Sequence, residues 1–216
     1  MTVTLPERPA DLDEEVPLNL VEPEPEGPDL GEMRTAIDEL VDGRFKVEII
    51  GGEIIVSPLA RTLHDLIVSC MHAMFVRALD EDTHNVSQRI EFVVDEKNNP
   101  QPDLAIMDMT LRTDRLEATQ YAAKDALLVV EVASPSNGDD DRKWGRKYKA
   151  YAKGLVAIYL LIDPHAEYGP SLTLFTQPDG KRYQAETTVP FGTPLQLPEP
   201  FDAVTIDSSR FPLPNG

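Results

Sequence analysis

One cysteine, Cys70, in 216 residues leaves no internal disulfide framework and no cysteine-based zinc site, a usage that suits a reducing cytoplasm. Its neighbours Met71, Met74 and Phe75 mark it as a core residue. No apolar run approaches the roughly 20 residues that span a bilayer, and the start is acidic where a secretion signal would be basic. A cytoplasmic protein with no membrane segment is expected. Positive charge is scarce too: 20 Lys and Arg face 38 Asp and Glu, a formal net charge of −18. That balance argues against a broad electrostatic grip on nucleic acid, which draws on clustered cations. A Gly-rich phosphate cradle, zinc-spaced histidines and internal repeats are missing as well.

What is present suffices for one substantial core, since 41% of the chain is hydrophobic. Residues 1–30 stand apart. They hold nine Asp and Glu against Arg8 alone, together with Pro6, Pro9, Pro17, Pro23, Pro25 and Pro28. A segment of that composition cannot build a packed core, so a disordered acidic tail followed by one domain over 31–216 is expected.

The domain reads as a mixture of helix and strand. A short helix is expected over 31–42, then a hairpin from Phe45–Ile50 to Glu53–Val56 across the turn-forming pair Gly51-Gly52. Leu63, Leu66, Ile67, Cys70, Met71, Met74, Phe75 and Ala78 recur at helical spacing, with Thr62 and Asp65 resembling a capping box. Strands are expected at Val86–Val94, Asp103–Met107, Ala126–Val132 and Ala157–Ile162, and a hairpin at Ser171–Thr176 and Tyr183–Val189. A second long helix should run from Asp140 to Ala152, its acids first and its bases later as the helix dipole prefers, with Gly154 as the stop. The proline-rich end from Pro194 reads as a peripheral wrap. The fold class is α/β (mixed α+β), a mixed central sheet with helices on its faces and extra β-hairpins.

Chemistry is suggested first by Glu131, a lone carboxylate near the end of the apolar run Ala126-Leu-Leu-Val-Val-Glu-Val-Ala133. Burying an unpaired carboxylate costs several kcal/mol, so either the strand surfaces there or a metal ion or lysine offsets the charge. Asp103 opens the preceding strand. If the two strands are antiparallel neighbours, both carboxylates reach one hard cation; otherwise Asp103 caps a strand and Glu131 pairs with a surface lysine. On the second helix Trp144, Lys147, Tyr148 and Tyr151 share a face that the aromatics mark as buried, so Lys147 points at the sheet unless it snorkels to water. Ser134, Ser136 and Asn137 read as turn or helix-entry residues.

Taken together, Gln101-Pro-Asp-Leu-Ala-Ile106, Leu128-Val-Val-Glu-Val-Ala-Ser-Pro-Ser136, Asp141-Arg142, Lys147, Tyr151-Ala-Lys-Gly154 and Tyr159-Leu-Leu-Ile-Asp-Pro164 resemble the Uma-two family of restriction-endonuclease-like proteins. Upstream, Val47-Glu-Ile-Ile-Gly-Gly-Glu-Ile54, Ser57-Pro58 and His64 extend the likeness, which covers roughly residues 32–210. The resemblance implies a PD-(D/E)XK nuclease fold, Mg²⁺ with Mn²⁺ as the alternative, and hydrolysis of phosphodiester bonds in nucleic acid, DNA before RNA. Asp103 resembles the motif aspartate and Glu131 the next metal-binding acid. Where the usual pattern has a lysine two residues later, this chain has Ala133; the resemblance moves that role to Lys147, and the long spacing from Asp141 leaves Lys143 as the alternative. Glu48 would be a third carboxylate or a solvent-facing strand residue, and His64 a wall of the cleft or a surface histidine.

A homodimer would suit cleavage of two strands. A basic strip of Arg142, Lys143, Arg146, Lys147, Lys149 and Lys153 would offset the acidic surface. The competing reading is a non-catalytic interaction module that retains the fold, its acidic tail engaging a basic partner.

Overall fold

A computed structural model of the protein describes residues 29–41, 45–58, 61–135 and 138–214. The acidic tail, apart from Asp29 and Leu30, and Ser136 and Asn137, expected at a turn or helix entry, lie outside the described residues. In chain order the elements are α1 (Leu30–Val41), β1 (Phe45–Ile50), β2 (Glu53–Pro58), α2 (Thr62–Ala78), β3 (His84–Ser87), β4 (Glu91–Val93), β5 (Leu104–Asp108), α3 (Met109–Thr113) and β6 (Gln120–Ala122). After a single 3-10 turn come β7 (Ala126–Val132), α4 (Gly138–Asp141), α5 (Arg146–Lys153), β8 (Ile158–Asp163), β9 (Ser171–Pro178), β10 (Tyr183–Pro190), β11 (Leu195–Gln196) and β12 (Thr205–Ile206).

Six strands form the central sheet in the order β10-β9-β8-β7-β5-β3. Within it β7 and β8 run parallel and the other neighbours antiparallel. A parallel pair needs a crossover, and α4 with α5 supplies it. Side chains alternate across the pleat. Leu128, Val130 and Val132 of β7 face one way, onto Ile67, Met71 and Phe75 of α2. Val129 and Ala133 face the other way, onto Tyr148, Tyr151 and Ala152 of α5.

The first hairpin forms where the sequence places it. Gly51 and Gly52 take φ of 65° and 81°, the left-handed values that a tight two-residue turn demands and that glycine adopts without strain. The β1–β2 pair stands outside the central sheet as a separate two-stranded ribbon. Backbone bonds from Asn99 N–H to the Ile49 carbonyl (2.7 Å) and from Gly52 N–H to the Lys97 carbonyl (2.9 Å) tie it to the loop before β5.

Four expectations are corrected. The strand expected at Val86–Val94 is two strands, because Arg89 takes a left-handed φ of 58°; β3 joins the sheet, while β4 pairs in parallel with β6. The long helix expected from Asp140 to Ala152 is broken at Trp144, whose φ is 70°, so Trp144 leaves the buried face and is about half exposed. Thr62 is already helical rather than a cap: Arg61 occupies the N-cap position without a side-chain bond to the helix. The C-terminal segment is no mere wrap. Its Leu195, Leu197, Phe201, Val204, Ile206 and Phe211 are buried in the core that α2 covers.

Candidate active site

Leu104 pairs with Val130 and Ala105 with Val129 across the antiparallel β5–β7 ladder. That register sets Asp103, the residue before β5, across from Glu131. Both share the pleat of Ala105 and Val129, hence the α5 face of the sheet. Asp103 Oδ2 accepts a hydrogen bond from the Val132 N–H (2.8 Å) and contacts His64 Nε2 (2.9 Å) at the start of α2. Glu131 Oε1 accepts from Lys147 Nζ (3.0 Å) and from the Tyr151 hydroxyl (2.5 Å), both delivered by α5.

The ribbon contributes the other half of the site. Lys46 and Glu48 lie two residues apart on β1 and so point the same way. Glu48 Oε1 accepts from the Gln101 N–H (2.7 Å) and lies 3.3 Å from Lys147 Nζ. Lys46 Nζ lies 3.5 Å from Glu48 and 3.6 Å from Asp103. Asp141, at the end of α4, completes the group with Oδ1 at 3.6 Å from Lys147 Nζ. That oxygen is buried and has no hydrogen-bond partner. Four acids thus surround two lysines and a histidine.

Lys143 is not among them. Its ammonium pairs with Glu186 on β10, away from the acids. The helix break is the reason: Lys143 precedes Trp144, in the loop, whereas Lys147 sits in the first turns of α5. Of the residues singled out from sequence, Asp103, Glu131, Lys147, Glu48 and His64 come together. Lys46, Asp141 and Tyr151 join them without having been assigned a role. Alternation of Lys46 with the already suspected Glu48 was the available signal for Lys46, and Asp141 stood in a motif whose chemistry was not read.

The basic strip is also changed. Arg142 pairs with Asp163 and Asp139, Arg146 with Asp140 and Glu53, and Lys153 with Asp95. With Lys143 on Glu186 and Lys147 among the site acids, Lys149 is the one member of the strip without an acidic partner among the described ion pairs.

The charges shape one another. Burial would raise the Asp103 pKa, but Lys46 and His64 outweigh it and hold the carboxyl far below its usual range. Burial works to lower His64, yet the bond to Asp103 and its charge win, and the imidazole pKa is raised. Burial likewise opposes charge on Lys147, and Glu131, Glu48 and Asp141 together keep its pKa well above normal. For Glu131, burial prevails over Lys147 and Lys46 and the pKa goes up. Asp141 is pushed well above 3.8 by burial, against the pull of Lys147.

Asp141 therefore binds its proton more tightly in the folded than in the unfolded chain. Stability from that proton is present below about pH 4, the unfolded value, and is lost as pH rises toward the raised folded value. Asp141→Asn is expected to match the wild type in acid and to exceed it by about 1 kcal/mol at pH 7 in urea denaturation. Equal pH profiles for the two proteins would contradict this.

A family model described as "putative restriction endonuclease", Uma2, matches residues 36–209. The chain belongs to the Uma2 family. No curated protein matches it. Among solved structures, this Uma2 chain is similar to the crystal structure of "a putative nuclease belonging to DUF820" from Anabaena variabilis, at 16% identity and a TM-score of 0.60, covering 76% of this chain and 88% of the other. At that identity the likeness shows a shared fold. The Uma2 fold here is thus that of a nuclease-like α/β protein with a six-stranded mixed sheet. Among the described residues no helix is long and apolar enough to cross a membrane.

The donor set also bears on a divalent cation. Among the described residues no three acid, histidine or cysteine side chains form a ready-made metal cage. Magnesium commonly takes one or two carboxylates and completes its shell with water. Asp103 and Glu131 are two such hard oxygen donors side by side, and the partnerless oxygen of Asp141 lies in the same cluster. The residues present fit a hard cation.

Proposed function

We propose that the protein is a nuclease that hydrolyses phosphodiester bonds in DNA with Mg²⁺, or Mn²⁺ in its place, held by Asp103 and Glu131. The observation that supports this reading most is their opposition across the β5–β7 ladder, on the pleat beneath which α5 delivers a lysine. When bound, the cation supplies an activated water and a polarised phosphate. The chain's own residues prepare for it. Lys46 and His64 keep Asp103 ionised, and Tyr151 and Lys147 fix the Glu131 carboxylate in one orientation. Lys147 offsets the charge of Glu131 and Glu48. A homodimer would bring two such sites to the two strands of a duplex.

Titration calorimetry with Mg²⁺ and Mn²⁺, followed by a plasmid-nicking assay, tests this. Binding of about one cation is expected, lost in Asp103→Asn and Glu131→Gln together with nicking. Absence of any cation site in the wild type, or unchanged binding in both variants, would defeat the proposal. A second reading, an interaction module that keeps the fold without the chemistry, is favoured by the formal charge of −18 and by the pairing of the basic strip with acids. It predicts no cation binding, and an acidic tail that engages a basic partner.

A further inference from the structure

The site contains two lysines in different situations. Lys147 is 5% exposed and lies among Glu48, Glu131 and Asp141, which are 1%, 2% and 3% exposed. Its ammonium has three donors. Three carboxylates surround it, at 3.0 Å (Glu131), 3.3 Å (Glu48) and 3.6 Å (Asp141). Glu131 takes its one hydrogen bond, the other two acids hold it by charge, and at 5% exposure the ammonium lies too deep to meet a substrate.

Lys46 differs on every count. It is 27% exposed and stands next to the two other half-open members, His64 (19%) and Asp103 (13%). Its contacts, 3.5 Å to Glu48 and 3.6 Å to Asp103, exceed the 2.7–3.2 Å of a proper N–H···O bond. They hold it by charge without consuming its donors. Elsewhere the cations that could receive a nucleic-acid backbone are mostly spent: Arg142, Lys143, Arg146 and Lys153 each pair with an acid. A phosphate approaching Asp103 enters a strongly acidic neighbourhood and needs a cation on its own side of it.

We propose that Lys46 is the lysine that contacts a DNA phosphate at the mouth of the site, with Lys147 as an internal counter-ion. The inference rests on the nuclease reading above. On its flexible stem the Lys46 ammonium turns from Asp103 to the phosphate oxygen, so its positive charge follows the incoming negative charge. His64 stays on Asp103 and keeps that carboxylate ionised.

The test is fluorescence anisotropy of a labelled short DNA duplex in Ca²⁺, over a series of salt concentrations, with wild type, Lys46→Gln and Lys46→Arg. Gln removes the charge while keeping a polar donor one bond shorter on a partly exposed strand position, so the variant should fold; thermal melting checks it. Lys46→Gln is expected to bind roughly fivefold to tenfold more weakly at low salt and to lose about one unit of the log–log salt slope. Lys46→Arg should restore both. A merely structural lysine would lower the melting temperature and leave the slope alone, and that result overturns the proposal. Wild-type binding with an unchanged slope in Lys46→Gln overturns it while leaving the nuclease reading intact. A wild type that binds no DNA overturns both.

Discussion

Lys147→Met is expected to cost about 3–5 kcal/mol of folding stability, a large share of the roughly 5–15 kcal/mol available to a domain. Removing the ammonium leaves Glu48, Glu131 and Asp141 buried around a vacancy of charge, with the more exposed Lys46, 3.5 Å from Glu48, as the remaining cation beside them. The sign of its pH dependence follows. Burial already raises the pKa of Glu131 and Asp141, and without Lys147 both rise further. The folded variant then gains protons on acidification that the unfolded chain takes up only near pH 4, so the deficit shrinks as pH falls. Urea denaturation at pH 7 and pH 5 measures it. Adding Glu131→Gln should recover part of the loss, since the neutral amide no longer needs the cation. A loss under 1 kcal/mol at pH 7 would mean that the three acids are not held by Lys147.

The second large effect is expected at Gly145, which caps α5 with an ordinary φ of −65°. Conformational freedom is not its purpose. A Cβ there would lie 2.3 Å from the Asp139 carbonyl oxygen and 2.4 Å from that of Asp140, both backbone atoms of α4 that cannot swing away. Gly145→Ala should cost about 3 kcal/mol or more, measured by urea denaturation. It should also separate α4 from α5, parting Asp141 from Lys147. Gly180→Ala is the contrast: φ is 85° with nothing within 4 Å, so only backbone strain of about 1 kcal/mol is expected. Similar losses at the two positions would rule out the close approach as the cause.

Legibility in the sequence followed physical scale. Periodicity made α2, β5, β7, β8 and the two hairpins readable, because each buries a continuous face whose spacing survives in the residue order. Antiparallel pairing of β5 with β7 was posed as a condition, and the register meets it. The breaks at Arg89 and Trp144 were not readable. Both residues adopt left-handed φ, which side-chain type does not announce outside Gly, Asn and Asp. One such residue decided which lysine reaches the acids, since an unbroken helix would have left Lys143 one turn from Lys147 on the same side. Lys46 was hidden for a different reason. A lysine alternating with a glutamate on a short strand has the pattern of a solvated face, and only the arrival of Asp103, Glu131 and Lys147 from distant parts of the chain turns it into a site.

The two faces of the sheet are finished at different moments of synthesis. The α5 face, which carries the acids, draws on residues no later than Tyr183. The α2 face waits for Leu195, Phe201, Ile206 and Phe211, which come later in the chain. Domains emerge from the ribosome N-terminus first. A chain that ended at Pro190 would therefore carry an assembled acidic cluster on one side and, beside α2 on the other, a stretch of Leu, Ile and Val without its last cover, a surface prone to adhere.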